Sequence, residues 1–305
     1  MGWKRDGRVE LENVEEWRDR RIGRWRLLDP IGCGQSGTVY EVREVVAPFR
    51  RAALKIHAGR RVKVDRAAFC READFVARQM IAGFMPAFYG RGECADGTPY
   101  FVMAYAERVP SDLTRDETVA IVGRLAEALE RLDAAGFTHG DVKPANVGLI
   151  DGQAVLLDFG SVCSHAEAAA AAIRVGTPYY AAPELQRGGA VSALTDVFSL
   201  GRTLEELQGD ADGLVFGPVV HHACAFDPTE RPQSLAAFRR ELREAVANYR
   251  RTVARESRIE KFKVVARRVA FAALATAVVY GLVASASYQI RRLQIRAERA
   301  RSGSS

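Results

Sequence analysis

Four segments of this 305-residue chain carry side chains whose types and spacing suit chemistry. In His139-Gly140-Asp141-Val142-Lys143-Pro144-Ala145-Asn146 an acid, a cation and an amide lie within six residues, and a second acid follows in Asp158-Phe159-Gly160. That set suits transfer of a phosphoryl group. One carboxylate orients a nucleophilic hydroxyl and accepts its proton. The other carboxylate and the amide hold Mg²⁺, and cations neutralise the charge that develops on the phosphoryl oxygens. Upstream, Ile31-Gly32-Cys33-Gly34-Gln35-Ser36-Gly37-Thr38-Val39 contains GxGxxGxV. Glycines let such a turn fold tightly and bring backbone N–H groups close to phosphate oxygens. Its third glycine leads into a second strand pattern and not a helix, unlike the dinucleotide fingerprint. Ala53-Leu54-Lys55-Ile56 sets one lysine in an apolar strand. A buried lysine needs a partner, and Glu72 is the obvious one.

The elements around these segments read as strand, glycine-rich turn, strand from Gly23 to about Ile56. Ala67–Met80 reads as a helix and Tyr100–Tyr105 as a short strand. Glu117–Ala135 has apolar residues at helical spacing, namely Ile121, Leu125, Leu129 and Leu132. A strand pair is expected at Val147–Leu149 and Val155–Leu157, followed by mostly helical chain to about Asn248, with Ala168–Ala172 a loop or weak helix. Strands early and helices late imply an α+β fold with a small β-rich lobe and a larger α-rich lobe. Residues 1–22 are charged and Trp-containing, and read as a short helix or an extension. Lys4 and Arg5 are not followed by an apolar run, so no secretory signal is expected.

Taken in order, these motifs over residues 23–249 resemble the eukaryotic-type protein kinases, in the bacterial serine/threonine branch. The resemblance implies a two-lobed kinase-like fold that uses ATP and Mg²⁺ and acts on protein hydroxyls. By the same resemblance, Gly32, Gly34 and Gly37 would cover the ATP phosphates, flanked by Ile31 and Val39 of the nucleotide site. Lys55 would contact the α- and β-phosphates and pair with Glu72. Asp141 would be the catalytic base, Lys143 would contact the γ-phosphate, and Asn146 and Asp158 would bind Mg²⁺. Met103 looks like the gatekeeper, which makes Ala104 to Ala106 the adenine-binding hinge. Ala182-Pro183-Glu184 resembles the end of the activation segment, with Glu184 paired to Arg231 in a buried ion pair. Asp196 would brace the catalytic loop.

Three departures from the family pattern carry expectations of their own. Gly140 stands where the family most often has the Arg that receives an activation-loop phosphate, so activity independent of phosphate on Ser161, Ser164 or Thr177 is expected. His-Gly-Asp is also common in small-molecule phosphotransferases, but Lys143, Asn146 and Ala182-Pro183-Glu184 favour the protein-kinase branch. Thr177 resembles the serine/threonine-kinase residue that contacts the catalytic Asp and Lys. Only about thirty residues separate Gly201 from Arg231, which shortens the helical platform that often docks protein substrates. Gly148 replaces the larger apolar residue usually found under the adenine, an expected loss of about 1 kcal/mol of nucleotide packing. A pseudokinase scaffold is the contrasting class, and the occupied catalytic positions argue against it.

The net charge of +6 is concentrated in the first two dozen residues and in Arg250–Arg301. Basic patches favour acidic partners, but no aromatic-interleaved basic stripe is present, so no nucleic-acid partner is expected. Cys33, Cys70, Cys94, Cys163 and Cys224 are scattered and read as reduced thiols. Residues 269–290, Val269 to Ile290, carry no charge between Arg267-Arg268 and Arg291-Arg292, close to the roughly 20 residues that a helix needs to cross a bilayer. The expected division is therefore an extension (1–22), a kinase-like domain (23–249), a basic juxtamembrane segment (250–268), a transmembrane helix (269–290) and a short basic tail (291–305). The need for ATP puts the kinase-like domain on the cytoplasmic side, as in a single-pass protein of a bacterial inner membrane. Ala273, Ala277, Gly281 and Ser285 recur every fourth residue and form a candidate homodimer face.

Overall fold

The computed structural model describes residues 19–34, 36–57, 65–170, 176–208 and 213–302. The chain divides into two compact units, Met1–Val246 and Ala247–Ser305.

In the first unit, β1 (Arg21–Ile22), β2 (Trp25–Gly34), β3 (Gly37–Glu44), β4 (Arg51–His57), β5 (Phe88–Glu93) and β6 (Pro99–Ala104) form one antiparallel sheet in the order β1-β2-β3-β4-β6-β5. Strand alternation turns Trp25, Leu27, Tyr40, Val42, Leu54 and Ile56 into one apolar cluster. β4 is buried along its whole length after Arg51, because α1 (Arg66–Arg78) covers its other face through Phe69. Asp65 starts α1 by accepting the Ala67 N–H at 2.8 Å. The sheet reaches two residues further towards the N-terminus than the sequence pattern suggests, because Arg21–Ile22 folds back on Trp25–Arg26. The first 18 residues lie outside those described.

After β7 (Glu107–Arg108), the chain enters α2 (Arg115–Ala134). Thr114 and Glu117 form a reciprocal capping box at its start. The helix buries Ile121, Leu125, Leu129 and Leu132, the four residues that its sequence period singles out. β8 (Phe137–Thr138), β9 (Val147–Ile150) and β10 (Gln153–Leu156) follow, with β9 pairing both β10 and β7. β11 (Cys163–Ser164) pairs with β8 and leads into α3 (His165–Ala170), which takes in the start of the alanine run; Ala171 and Ala172 lie outside the described residues. Then come α4 (Pro183–Gln186), α5 (Ala193–Leu207) and α6 (Gly213–Ala223). The last helix, α7 (Leu235–Ser302), contributes Leu235, Phe238, Leu242 and Val246 to the main core. Phe226, in the loop after α6, is 59 % exposed beside a cavity of about 600 Å³ lined by Val220, His221 and Cys224.

The second unit is the helical remainder of α7 from Ala247. Among the described residues, this is one helix long and apolar enough to cross a membrane, with a window of mean hydropathy 2.0 that is buried nowhere. Phe271, Leu274, Val279, Tyr280 and Leu282 are all exposed, which argues against a core helix. The side chains of Ala273 and Ala277 lie outside those described, whereas Gly281 and Ser285 are exposed.

Candidate active site

The cleft side of the sheet presents Lys55, which is 4 % exposed. Its Nζ donates to both oxygens of Glu72 on α1 at 2.7 and 2.8 Å, and to Asp158 Oδ1 at 2.9 Å. Burial favours the neutral amine, but the two carboxylates override it and hold the Lys55 pKa above the usual lysine value. Burial would likewise raise Asp158, and Lys55 reverses the sign, leaving its pKa below the ordinary carboxylate value. Asp158 takes a left-handed backbone at φ 56. The next residue, Phe159, is buried with its ring 5.4 Å from both Phe75 of α1 and His139. Gly160 lets α1 come close, since a Cβ there would stand 3.3 Å from Glu72 Oε2. The ring of Phe159 thus holds α1 at the depth where Glu72 meets Lys55.

Asp141 lies in the loop between β8 and a 3₁₀ turn at Pro144–Asn146. Lys143 Nζ donates to Asp141 Oδ2 at 2.6 Å and to Thr177 Oγ1 at 2.6 Å. Thr177 Oγ1 donates to Asp141 Oδ1 at 2.9 Å. Asn146 Nδ2 donates to the Asp141 carbonyl at 2.8 Å and to Oδ2 at 3.1 Å. Both carboxylate oxygens are therefore fixed by three different side chains. Beneath the loop, Asp196 on α5 accepts the His139 N–H at 2.8 Å and the Gly140 N–H at 3.0 Å. Burial pushes Asp196 up to about 7 against the pull of those two N–H groups. Gly140 sits at φ 79, a region that favours glycine over the arginine usual in the family. His139 is fully buried; its Nδ1 accepts the Asp141 N–H at 3.3 Å and its Nε2 lies 3.3 Å from the Leu157 carbonyl. Burial holds the imidazole below its ordinary pKa, although Asp141 and Asp158 pull it upward, so it stays neutral.

The glycine-rich turn joins β2 to β3, with Cys33 paired to Thr38 and Gly34 to Gly37; Gln35 lies outside the described residues. A Cβ on Gly37 would stand 2.1 Å from the Ile56 carbonyl oxygen, and one on Gly34 would meet nothing within 4 Å. Gly37 is thus needed for the turn to pack on β4, while Gly34 leaves open space over the cleft. Met103 and Ala104 end β6, and Ala106 precedes β7. Tyr105, in the middle of the hinge, lies under the Arg51 guanidinium at 3.6 Å from its ring centroid. Pairing of β7 with β9 brings the hinge so close that a Cβ on Gly148 would stand 2.7 Å from Ala106 Cβ and 3.1 Å from Leu157 Cδ1. Ala106 and Leu157 thus crowd this position and leave no room for a Cβ without a shift.

The expected structural pair is also formed. Arg231 Nη1 and Nη2 donate to Glu184 Oε1 and Oε2, each at 2.7 Å, and the guanidinium also reaches the carbonyls of Ala225, Leu194 and Phe226. Ser164 is used locally, donating from Oγ to Glu167 at 2.7 Å. The five cysteines are unpaired. No cluster of three or more His, Cys, Asp or Glu side chains suited to a metal exists among the described residues. The site does present a half-buried, ionised Asp158 and an Asn146 whose amide nitrogen is already committed, leaving its oxygen as an acceptor. An all-oxygen pair of this kind fits a hard divalent cation that shares its remaining positions with phosphate and water.

A β-rich lobe carrying a lysine–carboxylate pair, a helical lobe carrying the Asp141 loop and a glycine-rich turn over the cleft between them define the kinase fold. Sequence comparison agrees, since the protein kinase domain model matches residues 25–211. The chain belongs to the protein kinase family, whose members use ATP and a divalent metal. It is 30 % identical over 207 residues to the serine/threonine-protein kinase AfsK of Streptomyces griseus, covering 64 % of this chain and 25 % of that one. It is 30 % identical over 235 residues to the DNA damage-responsive serine/threonine-protein kinase RqkA of Deinococcus radiodurans, covering 70 % and 34 %. The Mycobacterium tuberculosis PknI kinase domain superposes with a TM-score of 0.58 at 26 % identity, over 75 % of this chain and 98 % of that domain. The chain thus spans about a quarter to a third of the length of these curated relatives.

Proposed function

We propose that this chain transfers the γ-phosphoryl group of ATP to serine or threonine hydroxyls of a protein, from a catalytic domain anchored to a membrane. The observation that carries this reading is the Thr177 hydroxyl bridging Asp141 and Lys143. A threonine brought from the activation segment onto the catalytic acid and cation supports a serine/threonine protein acceptor over a small molecule. The buried Lys55–Glu72 pair and the intact Lys55–Asp158 contact support a working enzyme over a scaffold.

In this reading Asp141 accepts the proton of the acceptor hydroxyl, which its oxygens face in an orientation set by Lys143, Thr177 and Asn146. Lys143 lies beside that carboxylate and neutralises charge on the transferred group. Lys55, held by Glu72, positions the α- and β-phosphates, and Gly32, Gly34 and Gly37 bring backbone N–H groups over them, between Ile31 and Val39. Met103, Ala104 and Ala106 line the adenine edge. Asn146 and Asp158 would hold Mg²⁺, which supplies charge neutralisation at the phosphates.

The domain division is 1–22, 23–249, 250–268, 269–290 and 291–305, as the sequence suggests. Residues 269–290 cross the membrane, with the catalytic domain on the ATP-containing side. Ala273, Ala277, Gly281 and Ser285 form a face for a second copy.

The test is phosphate transfer by the full chain in detergent with Mg²⁺ and ATP, beside Asp141→Asn, offered a generic protein and a panel of small hydroxylated acceptors. Phosphoserine or phosphothreonine should form on protein, and the variant should lose about 10²–10⁴-fold in kcat with little change in ATP affinity. Transfer only to small acceptors, or ATP bound and never consumed, would sink the proposal.

A further inference from the structure

β2 is irregular where it runs into the glycine-rich turn. Pro30 pairs with Tyr40 and Gly32 with Val39, which leaves Ile31 as the extra residue of a bulge. Bulges re-aim backbone groups, and here a distant side chain meets the re-aimed carbonyl. Arg108 Nη2 donates to Ile31 O at 3.0 Å, across 77 residues of sequence. Arg108 belongs to β7, directly opposite Gly148 on β9. Gly148 and Ala106 make the floor of the cleft beside the hinge, and Ile31 begins its roof. A single side chain therefore ties roof to floor at the mouth of the cleft. The hinge behind it is braced separately, by Arg51 on Tyr105.

We propose that Arg108 is a positioning residue for the nucleotide, setting how far the glycine-rich turn stands above the cleft floor. The proposal rests on the reading of this cleft as the ATP site. The glycine-rich turn is a hairpin end with glycines at 32, 34 and 37, and a Cβ on Gly34 would meet nothing within 4 Å. A turn that must be drawn down on binding costs ordering free energy, and a bond that already holds it removes part of that cost. Arg108 lies on β7, and its bond runs to the strand that enters the glycine-rich turn, not to the catalytic loop, so its loss should act on nucleotide binding and not on the transfer step. The bond is exposed, so its share is at most that of one ordinary hydrogen bond.

The test uses the full chain in detergent, as wild type, Arg108→Ala and Arg108→Lys. Hydrogen exchange is followed over residues 28–40, and KM for ATP and kcat are measured in parallel. For Arg108→Ala, exchange in the turn should quicken and KM should rise by about two- to tenfold, the scale of one such bond. Its kcat should stay within about twofold of wild type, and Arg108→Lys, which keeps a donor and the charge, should recover part of both effects. Unchanged exchange in Arg108→Ala would overturn the tie itself. Quicker exchange with an unchanged KM, or a fall in kcat alone, would overturn its role in positioning. A wild-type chain that binds no ATP would overturn the proposed function, and this proposal with it. That failure shows in the parent protein and is told apart from the others.

Discussion

Arg231 illustrates how much one side chain can be asked to do in this fold. Its guanidinium has no exposed surface, and each of its polar nitrogens has a partner: Nε donates to Ala225, Nη1 to Glu184 and Leu194, and Nη2 to Glu184 and Phe226. The ring of Phe198 covers it at 5.0 Å. Through these bonds the end of the activation segment, the start of α5 and the loop after α6 share one anchor. Removing the carboxylate would leave a buried cation with carbonyls alone. Glu184→Gln should therefore lower the stability of the first unit by about 3 kcal/mol, read from denaturant unfolding followed by the fluorescence of buried Trp25. Arg231→Lys should fare no better, because an ammonium cannot serve two carboxylate oxygens and three carbonyls from one point. A Glu184→Gln protein within about 0.5 kcal/mol of wild type would show that the backbone carbonyls suffice. This pair was legible in the sequence, as were Lys55–Glu72 and Asp196 under the catalytic loop, because each is implied by motifs that resemble those of the family. Arg108 was not: its partner is a backbone carbonyl, and a carbonyl leaves no mark in a sequence. The crowding at Gly148 was not legible either, because a missing side chain says nothing about which neighbours lie against it.

Among elements, the helices with a clear apolar period were the readable ones, and α2 buries the residues that its sequence singles out. β5 was not foreseen. Its sequence Phe88-Tyr-Gly-Arg-Gly-Glu93 has two glycines where a strand pattern needs side chains. The structure explains one of them, since a Cβ on Gly92 would stand 2.7 Å from the Tyr100 hydroxyl on β6. Strand identity there is set by a neighbour, not by local propensity. The packing of α5 on α6 follows the same logic. A Cβ on Gly201 would lie 2.8 Å from Ala223 Cβ and 2.9 Å from Cys224 Sγ. Gly201→Ala should thus separate the two helices and cost about 1–3 kcal/mol despite the better helix propensity of alanine. Gly123 on α2 is the internal control. Nothing lies within 4 Å of its added Cβ, so Gly123→Ala should gain about 0.5–1 kcal/mol by the same unfolding measurement. If both substitutions stabilised the protein, close packing between α5 and α6 would not be what the glycine serves.

At the scale of the molecule, α7 changes character along its length. Leu235, Phe238, Leu242 and Val246 recur at helical spacing and are buried in the core of the first unit. Beyond Ala247 the helix turns basic and exposed, and from Val269 to Ile290 it is apolar, with its described side chains still exposed. An exposed apolar stretch of that length matches the thickness of a bilayer core, which supports the proposed membrane span. The sequence suggests the span but not what a second copy would do within it. In lipid the drive to associate comes from close packing and not from water, so small residues every fourth position are where two such helices would meet. Gly281 is the position that tests this cleanly. A Cβ there would meet nothing within 4 Å, so a larger side chain leaves the helix and its own unit undisturbed. Gly281→Ile should then reduce self-association in a membrane two-copy reporter while insertion stays the same. The same exchange at Leu282, one residue round the helix and off the small-residue face, should change association little. Equal association for Gly281→Ile and wild type would remove this face as a dimer contact and leave the helix as an anchor alone.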